Sequence, residues 1–232
     1  MKKRKELRRA KRTLVTSLNP KSLISEQYRT IRTNIQFSIL DKEVKALLCT
    51  SATSGDGKST TVSNLAVTLA QQGQKVLLVD ADLRKPTLHQ IMEVSNRQGL
   101  TSLITQQATL EEVIVTKETV KGLYVLPSGP IPPNPSEMLA SNAMEKLVQS
   151  FLKAYDVILF DTPPILAVAD ALVLATHCDG AILVTRSNQT EKRDLVRAKE
   201  HLDRANVYLF GAILNGVETK LADHRGYYEV KP

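Results

Sequence analysis

The chain has little cysteine and no long apolar run, and both scarcities exclude whole classes of protein. Among 232 residues there are two cysteines, Cys49 and Cys178, neither with a second Cys or His at ligand spacing. A disulfide framework and a zinc site are therefore not expected, and both residues read as reduced thiols. No run approaches the ~20 apolar residues that span a bilayer, and the N-terminus lacks the apolar core of a signal peptide. Nor is the basic charge spread along the chain. The first twelve residues, MKKRKELRRAKR, carry eight Lys or Arg against one Glu, which alone accounts for the formal net charge of +7. A balanced body with a basic arm argues against a broad nucleic-acid-binding face. It fits a local anionic partner instead: an acidic protein segment, or an anionic membrane surface, where each Lys or Arg gains roughly 1 kcal/mol.

What is present is a repeated alternation. The Val-, Ile- and Leu-rich runs VKALLCTS, KVLLVDAD, GLYVLPSG, YDVILFDT, GAILVTRS and VYLFGAILN are separated by segments of helical periodicity. Continuous apolar strands of this kind indicate a mostly parallel sheet covered by helices on both faces. The expected fold is α/β and doubly wound, with helices near residues 22–39, 58–72, 136–151 and 190–204. The prolines at 130, 132, 133 and 135 predict an extended loop before a helix capped by Ser136. Tyr155, ahead of an apolar strand, reads as buried. Ligands of an open α/β sheet bind beyond the carboxyl ends of the strands.

The stretch ATSGDGKST follows the first of these strands and opens a helical pattern. Phosphate loops read G-x-x-x-x-G-K-[ST]; Gly57, Lys58 and Ser59 fit, while Ala52 stands at the first glycine. Backbone N–H groups from Ser54, Gly55, Asp56, Gly57, Lys58, Ser59 and Thr60 are candidates to hold phosphates. Lys58 adds a point charge, and the Ser59 hydroxyl can ligate Mg²⁺. Two other strands end in acids. Asp80 and Asp82 share a face by alternation, and Asp161 closes VILFD. Carboxylates gathered there repel one another, and a bound Mg²⁺ relieves that cost.

These blocks resemble the bacterial tyrosine kinases (BY-kinases) that regulate capsular and exopolysaccharide synthesis. ATSGDGKST is similar to that family's relaxed Walker A motif, VLLVDADLRKP to its Walker A′ and VILFDTPP to its Walker B. ISEQYRTIRTN and LPSGPIPPNPSEML are also similar to family motifs, and the likeness spans roughly residues 22 to 217. The resemblance implies a P-loop kinase domain over 21–217, between a basic arm at 1–20 and a tyrosine tail at 218–232. It implies ATP and Mg²⁺ as cofactors, Lys58 on the transferring phosphate, Ser59, Asp82 and Asp161 serving the metal, and Asp80 as the base for the tyrosine hydroxyl. The roles of Asp80 and Asp82 are open to exchange. Arg84 is open to two roles, steering phosphate or substrate and pairing with a carboxylate. Asn215 is placed like an adenine-contacting residue.

Tyr227 and Tyr228, in a polar and accessible tail, are the candidate phosphoacceptors, modified between subunits. Glu26, Arg29 and Arg32, spaced by three on one helix, resemble the motif that joins neighbouring subunits into a ring. A transmembrane activator of the polysaccharide machinery is the implied partner, with a cytoplasmic protein recruited to the inner face of the membrane. Two alternatives stand beside the kinase. One is an ATPase switch of the partitioning class, which carries a second lysine where this chain has Thr53; the other is a nucleotide-bound scaffold.

Overall fold

The computed structural model describes residues 14–38 and 44–218. Seven strands form one sheet in the order β3-β4-β2-β5-β1-β6-β7: β1 (Ala46–Ser51), β2 (Val76–Asp80), β3 (Val115–Thr116), β4 (Leu123–Leu126), β5 (Val157–Asp161), β6 (Gly180–Arg186) and β7 (Leu209–Asn215). All neighbours pair in parallel except the short edge strand β3, which runs antiparallel to β4. The central strands β1, β2 and β5 are buried along their whole length. That follows from near-continuous apolar sequence, because both faces of a parallel sheet are covered. Leu48, Leu77, Val79 and Phe160 project into one layer, and Leu47, Cys49, Leu78 and Leu159 into the other.

Three helices shape the layer that carries the phosphate loop. The first, α1 (Val15–Leu18), is a single turn, and α2 (Leu23–Ser38) follows it. The third, α3 (Lys58–Ala70), is buried from Thr61 to Ala70. Thr16 is buried against α3, where its backbone N–H and its hydroxyl both donate to Asn64 Oδ1 (3.0 and 2.9 Å). Asn64 in turn donates from Nδ2 to the Thr60 carbonyl (2.9 Å), so the chain entering the domain bonds to the helix that opens at the phosphate loop.

The opposite layer corrects one expectation. Residues 136–151 are not one helix: α7 (Pro135–Leu139) and α8 (Asn142–Ala154) are separated by Ala140 and Ser141. Ser136 lies inside α7, and it is Ser141 that caps, its hydroxyl accepting from Met144 N–H at 3.2 Å. Serine favours the cap position wherever a helix starts, and the break at Ala140 and Ser141 places that start after Ser141. Tyr155 is half-buried rather than buried, packed edge-on against Tyr124 with centroids 5.3 Å apart. Short helices α4 (Leu88–Met92), α5 (Leu100–Ile104) and α6 (Leu110–Val113), with β3, fill the long β2–β4 connection. These are too short to carry a readable period. Helices α9 (Asp170–Ala175) and α10 (Lys192–Arg204) complete the wrap. No described helix is long and apolar enough to cross a membrane.

Met144, Val148 and Phe151 form the buried stripe by which α8 packs on the sheet. Phe151 is among the largest fully buried side chains, so Phe151→Ala is expected to cost about 3–5 kcal/mol of stability. Urea unfolding of the pair of proteins measures it.

Candidate active site

The parallel strands β1, β2 and β5 lie side by side, and their carboxyl ends bring the phosphate loop and the acids to one edge. Asp80 stands beside Asp161 in the β2–β5 register. Between β1 and α3 the loop turns at Gly55 and Gly57, with φ of 97° and 92°. Both lie in the left-handed region that favours glycine. Gly57 has a second reason to lack a side chain. A Cβ there would come 2.0 Å from Asn215 Nδ2, which donates to the Asp56 carbonyl at 2.9 Å.

Asp56 is wholly buried, and its carboxylate faces into the loop. It accepts from Thr53 N–H (3.0 Å), from the Thr53 hydroxyl (3.2 and 3.3 Å) and from the Thr190 hydroxyl (2.8 Å). Of Asp56 only the backbone N–H is left for an anion. Thr53, standing where the competing ATPases carry their second lysine, is thus spent on closing the loop. Arg186 adds a bond from Nη1 to the Gly55 carbonyl (3.3 Å). This ring of bonds around the loop was not legible in the sequence, since Arg186 and Asn215 are the last residues of β6 and β7 and Thr190 lies in the turn after β6.

Lys58 lies between two acids: its Nζ is 3.2 Å from Asp82 Oδ2 and 3.8 Å from Asp161 Oδ1. Burial works against the ammonium charge, but Asp161 and Asp82 outweigh it and raise the lysine above its ordinary value. Asp161 is wholly buried, and neither of its oxygens has a hydrogen-bond partner. Burial raises its pKa, with Lys58 pulling the other way.

Asp80 is also wholly buried. Its Oδ2 accepts from Thr87 N–H (3.1 Å) and Leu88 N–H (3.0 Å) at the start of α4, and its Oδ1 from Asp82 N–H (3.3 Å). Burial, and then the charge of Asp161, push its pKa up to about 8. Asp82 Oδ1 accepts from Lys85 N–H (3.0 Å). Three acids facing one lysine leave an excess of negative charge in a dry site. Two orphaned oxygens on Asp161 beside the Ser59 end of α3 fit a hard divalent cation that keeps water and phosphate oxygens among its ligands. Among the described residues no group of three His, Cys, Asp or Glu is placed to hold a metal ion.

The remaining expected residues separate. Arg84 makes an ion pair with Asp170 (2.8 Å). Glu26 and Arg29 pair with each other, and Arg29 Nη2 also donates to the Pro20 carbonyl (2.7 Å). Arg32 turns away from them and donates from Nη1 to the Thr68 carbonyl of α3 (2.9 Å). Tyr227, Tyr228 and residues 1–13, which hold the basic cluster of the arm, lie outside the described residues.

A glycine-lined loop after β1, a lysine at the following helix start and acids at the ends of two adjacent strands define a P-loop nucleotide-binding fold of the doubly wound type. The comparisons with known proteins agree. The AAA domain family matches residues 44–192. Tyrosine-protein kinase YwqD of Bacillus subtilis is 50% identical over 96% of this chain and 94% of its own length. The kinase domain of the Escherichia coli tyrosine kinase ETK superposes with a TM-score of 0.84 at 35% identity, covering 89% of this chain and 82% of that one. The septum site-determining protein MinD of Pyrococcus horikoshii, solved with Mg-ADP, is more distant: TM-score 0.63, 27% identity, 73% and 69% covered. The chain belongs to the bacterial tyrosine kinases and is an ATP-dependent protein-tyrosine kinase.

Two outcomes follow from the geometry. Gly57→Ala is expected to cost about 1–2 kcal/mol for a side chain in the left-handed region, plus a steric cost from Asn215. In an Asn215→Ala background the steric part disappears, so stability measured across the double-mutant cycle should show strong non-additivity. The second concerns pH in the absence of metal and nucleotide. The folded Asp80 holds its proton up to about pH 8, whereas the unfolded chain releases it near 3.8. The folded state therefore binds more protons across that window, and stability falls as pH rises through it. Melting temperatures from pH 5 to 8 should decline less steeply for Asp80→Asn than for the parent; parallel curves would contradict the assignment.

Proposed function

We propose that this kinase autophosphorylates Tyr227 and Tyr228 between subunits and regulates capsular or exopolysaccharide synthesis. The observation that carries the catalytic part is Lys58 held between Asp82 and Asp161, with Asp80 buried alongside. Phosphoryl transfer demands positioning and charge neutralisation above all. In this reading ATP lies with its phosphates on the backbone N–H groups of residues 54–60, and Lys58 tracks the transferring group. Ser59, Asp82 and Asp161 hold Mg²⁺, which neutralises charge developing on phosphate oxygens. The Asp161 oxygens without a hydrogen bond and the raised proton affinity of the site support that assignment, as does the Mg-ADP of the MinD neighbour. Asn215, bonded to the loop beneath the nucleotide, contacts the adenine.

Asp80 receives the tyrosine proton. A phenol has a pKa near 10, and a general base works best when its own pKa lies near the operating pH. In the metal-free protein burial keeps Asp80 protonated up to about pH 8; it becomes a base once positive charge from Lys58 and a bound cation favours its ionised form. The backbone donors on its oxygens fix its direction without supplying a competing proton at neutral pH.

Subunits assemble through Glu26, Arg29 and Arg32 into a ring that offers each tail to a neighbouring site. The basic arm, anchored where Thr16 meets α3, meets a transmembrane activator and the anionic inner face of the membrane. Each phosphotyrosine adds about −1.5 to −2 charge, which releases the tail and loosens the ring.

Mass spectrometry of the full chain incubated with Mg-ATP, alone and with an activator's cytoplasmic segment, tests this reading. Phosphate on Tyr227 or Tyr228 is expected, and is expected to vanish in Asp80→Ala. Steady ATP consumption with no phosphotyrosine under either condition would instead make the protein a nucleotide switch of the partitioning kind.

A further inference from the structure

Asp170, the first residue of α9, is wholly buried and belongs to none of the nucleotide-binding motifs. It nevertheless joins three loops at the carboxyl edge of the sheet. Arg84, two residues past Asp82, donates from Nε to Asp170 Oδ2 (2.8 Å) and from Nη2 to Asp170 Oδ1 (3.0 Å). The same Nη2 donates to Ser136 Oγ (3.0 Å), and the Ser136 hydroxyl donates to Asp170 Oδ1. The Arg84 side chain is still 38% exposed. One buried carboxylate thus ties the segment after β2 to α7 and, through it, to the proline loop after β4.

The other end of that loop is pinned separately. Asn96 Oδ1 accepts from Gly129 N–H (2.9 Å) and from the Ser128 hydroxyl (3.2 Å), while Asn96 Nδ2 donates to the Gly129 carbonyl (3.1 Å). Between the two pins Pro130, Pro132 and Pro133 stiffen the backbone. They leave Ile131 projecting, 64% exposed. A loop fixed at both ends and rigid between them is a wall.

Its location says what passes it. In phosphoryl transfer the attacking and leaving oxygens lie roughly in line. The leaving diphosphate belongs to the loop after β1, which β6 and β7 flank. On the other side of β1 the carboxyl edge runs through β5 to β2, whose last residue is the proposed base Asp80, and then to β4, so an acceptor that reaches Asp80 along this edge has β4 and the loop after it alongside. The proline loop is the next element on that path beyond Asp80 and Asp82.

We infer that Asp170 is a positioning residue for the acceptor: through Arg84 and Ser136 it sets the proline-loop wall that guides the incoming tyrosine. This rests on the kinase reading above and adds to it a determinant of acceptor binding, separate from nucleotide binding.

The test uses the full-length chain with Ser136→Ala, Arg84→Lys and Asp170→Asn. Ser136→Ala carries it, because that variant keeps the buried ion pair and so keeps the fold. Two acceptors are supplied, a peptide of residues 221–232 and a glutamate–tyrosine copolymer, and hydrogen exchange follows the amides of residues 128–136. In Ser136→Ala the acceptor KM is expected to rise up to about ten-fold, the size of one lost hydrogen bond. Nucleotide affinity and kcat at saturating acceptor should stay within about two-fold. Exchange should quicken in the proline loop and not in α3. An unchanged acceptor KM, or a nucleotide affinity that weakens as much as acceptor binding does, would make Asp170 a structural brace only and overturn the inference. A parent protein that modifies the copolymer and not the peptide would remove the tail reading, while the wall is still judged on the copolymer. If neither acceptor reacts, the proposed kinase cycle fails, and exchange in the proline loop alone decides the tie: unchanged exchange in all three variants overturns it.

Discussion

The structure is organised around an unbalanced charge. Asp80, Asp82 and Asp161 meet buried at the carboxyl edge of the sheet, and Lys58 is the cation that pairs with two of them. Charges in such surroundings cost several kcal/mol each unless partnered. The protein satisfies them unequally. Asp80 takes backbone N–H groups from the start of α4, Asp82 takes Lys58 and the Lys85 N–H, and Asp161 has Lys58 at 3.8 Å and no hydrogen bond. Strand order accomplishes this, because β2, β5 and β1 are neighbours only in a sheet wound in both directions from its centre. The site is thus a consequence of topology before it is a consequence of any one residue.

Around that core the phosphate loop is held from outside as well as from within. Asp56, buried beneath it, collects Thr53 and Thr190; Asn215 and Arg186 bond its carbonyls. Fixing the loop's carbonyls outward turns its N–H groups toward the position an anion takes, so the dipoles are arranged before a ligand arrives. Ala52 in place of the expected first glycine fits this scheme. It is buried in the core and lies ahead of the left-handed turns, which fall at Gly55 and Gly57.

Much of this was legible in the sequence, and the reason is physical. Buried parallel strands must be apolar throughout, so six of the seven could be read directly, and an acid ending such a run stands out against its own neighbours. The phosphate loop was legible because close approach of backbone to an anion limits which residues fit. What escaped was whatever depends on contacts between distant segments. Thr190 and Arg186 carry no local mark of touching the loop. Ser136 was read as a cap because serine favours that place, whereas the chain breaks at Ala140 and the cap falls to Ser141. Arg84 left two readings open because an arginine's reach exceeds what spacing can constrain; Asp170 lies 86 positions away. The edge strand β3 is two residues long and carries no pattern at all.

The seventh strand has one neighbour, β6, and its outer side lies unpaired among the described residues. Such a margin is where a sheet frays first, at a free energy well below that of global opening. Its last residue is Asn215, the residue bonded to the phosphate loop, and the chain continues from there toward the C-terminal tyrosines. One edge of the sheet is therefore joined directly to the phosphate loop. A tug on the outgoing chain and a loosening of the nucleotide cradle are, at this one asparagine, the same displacement.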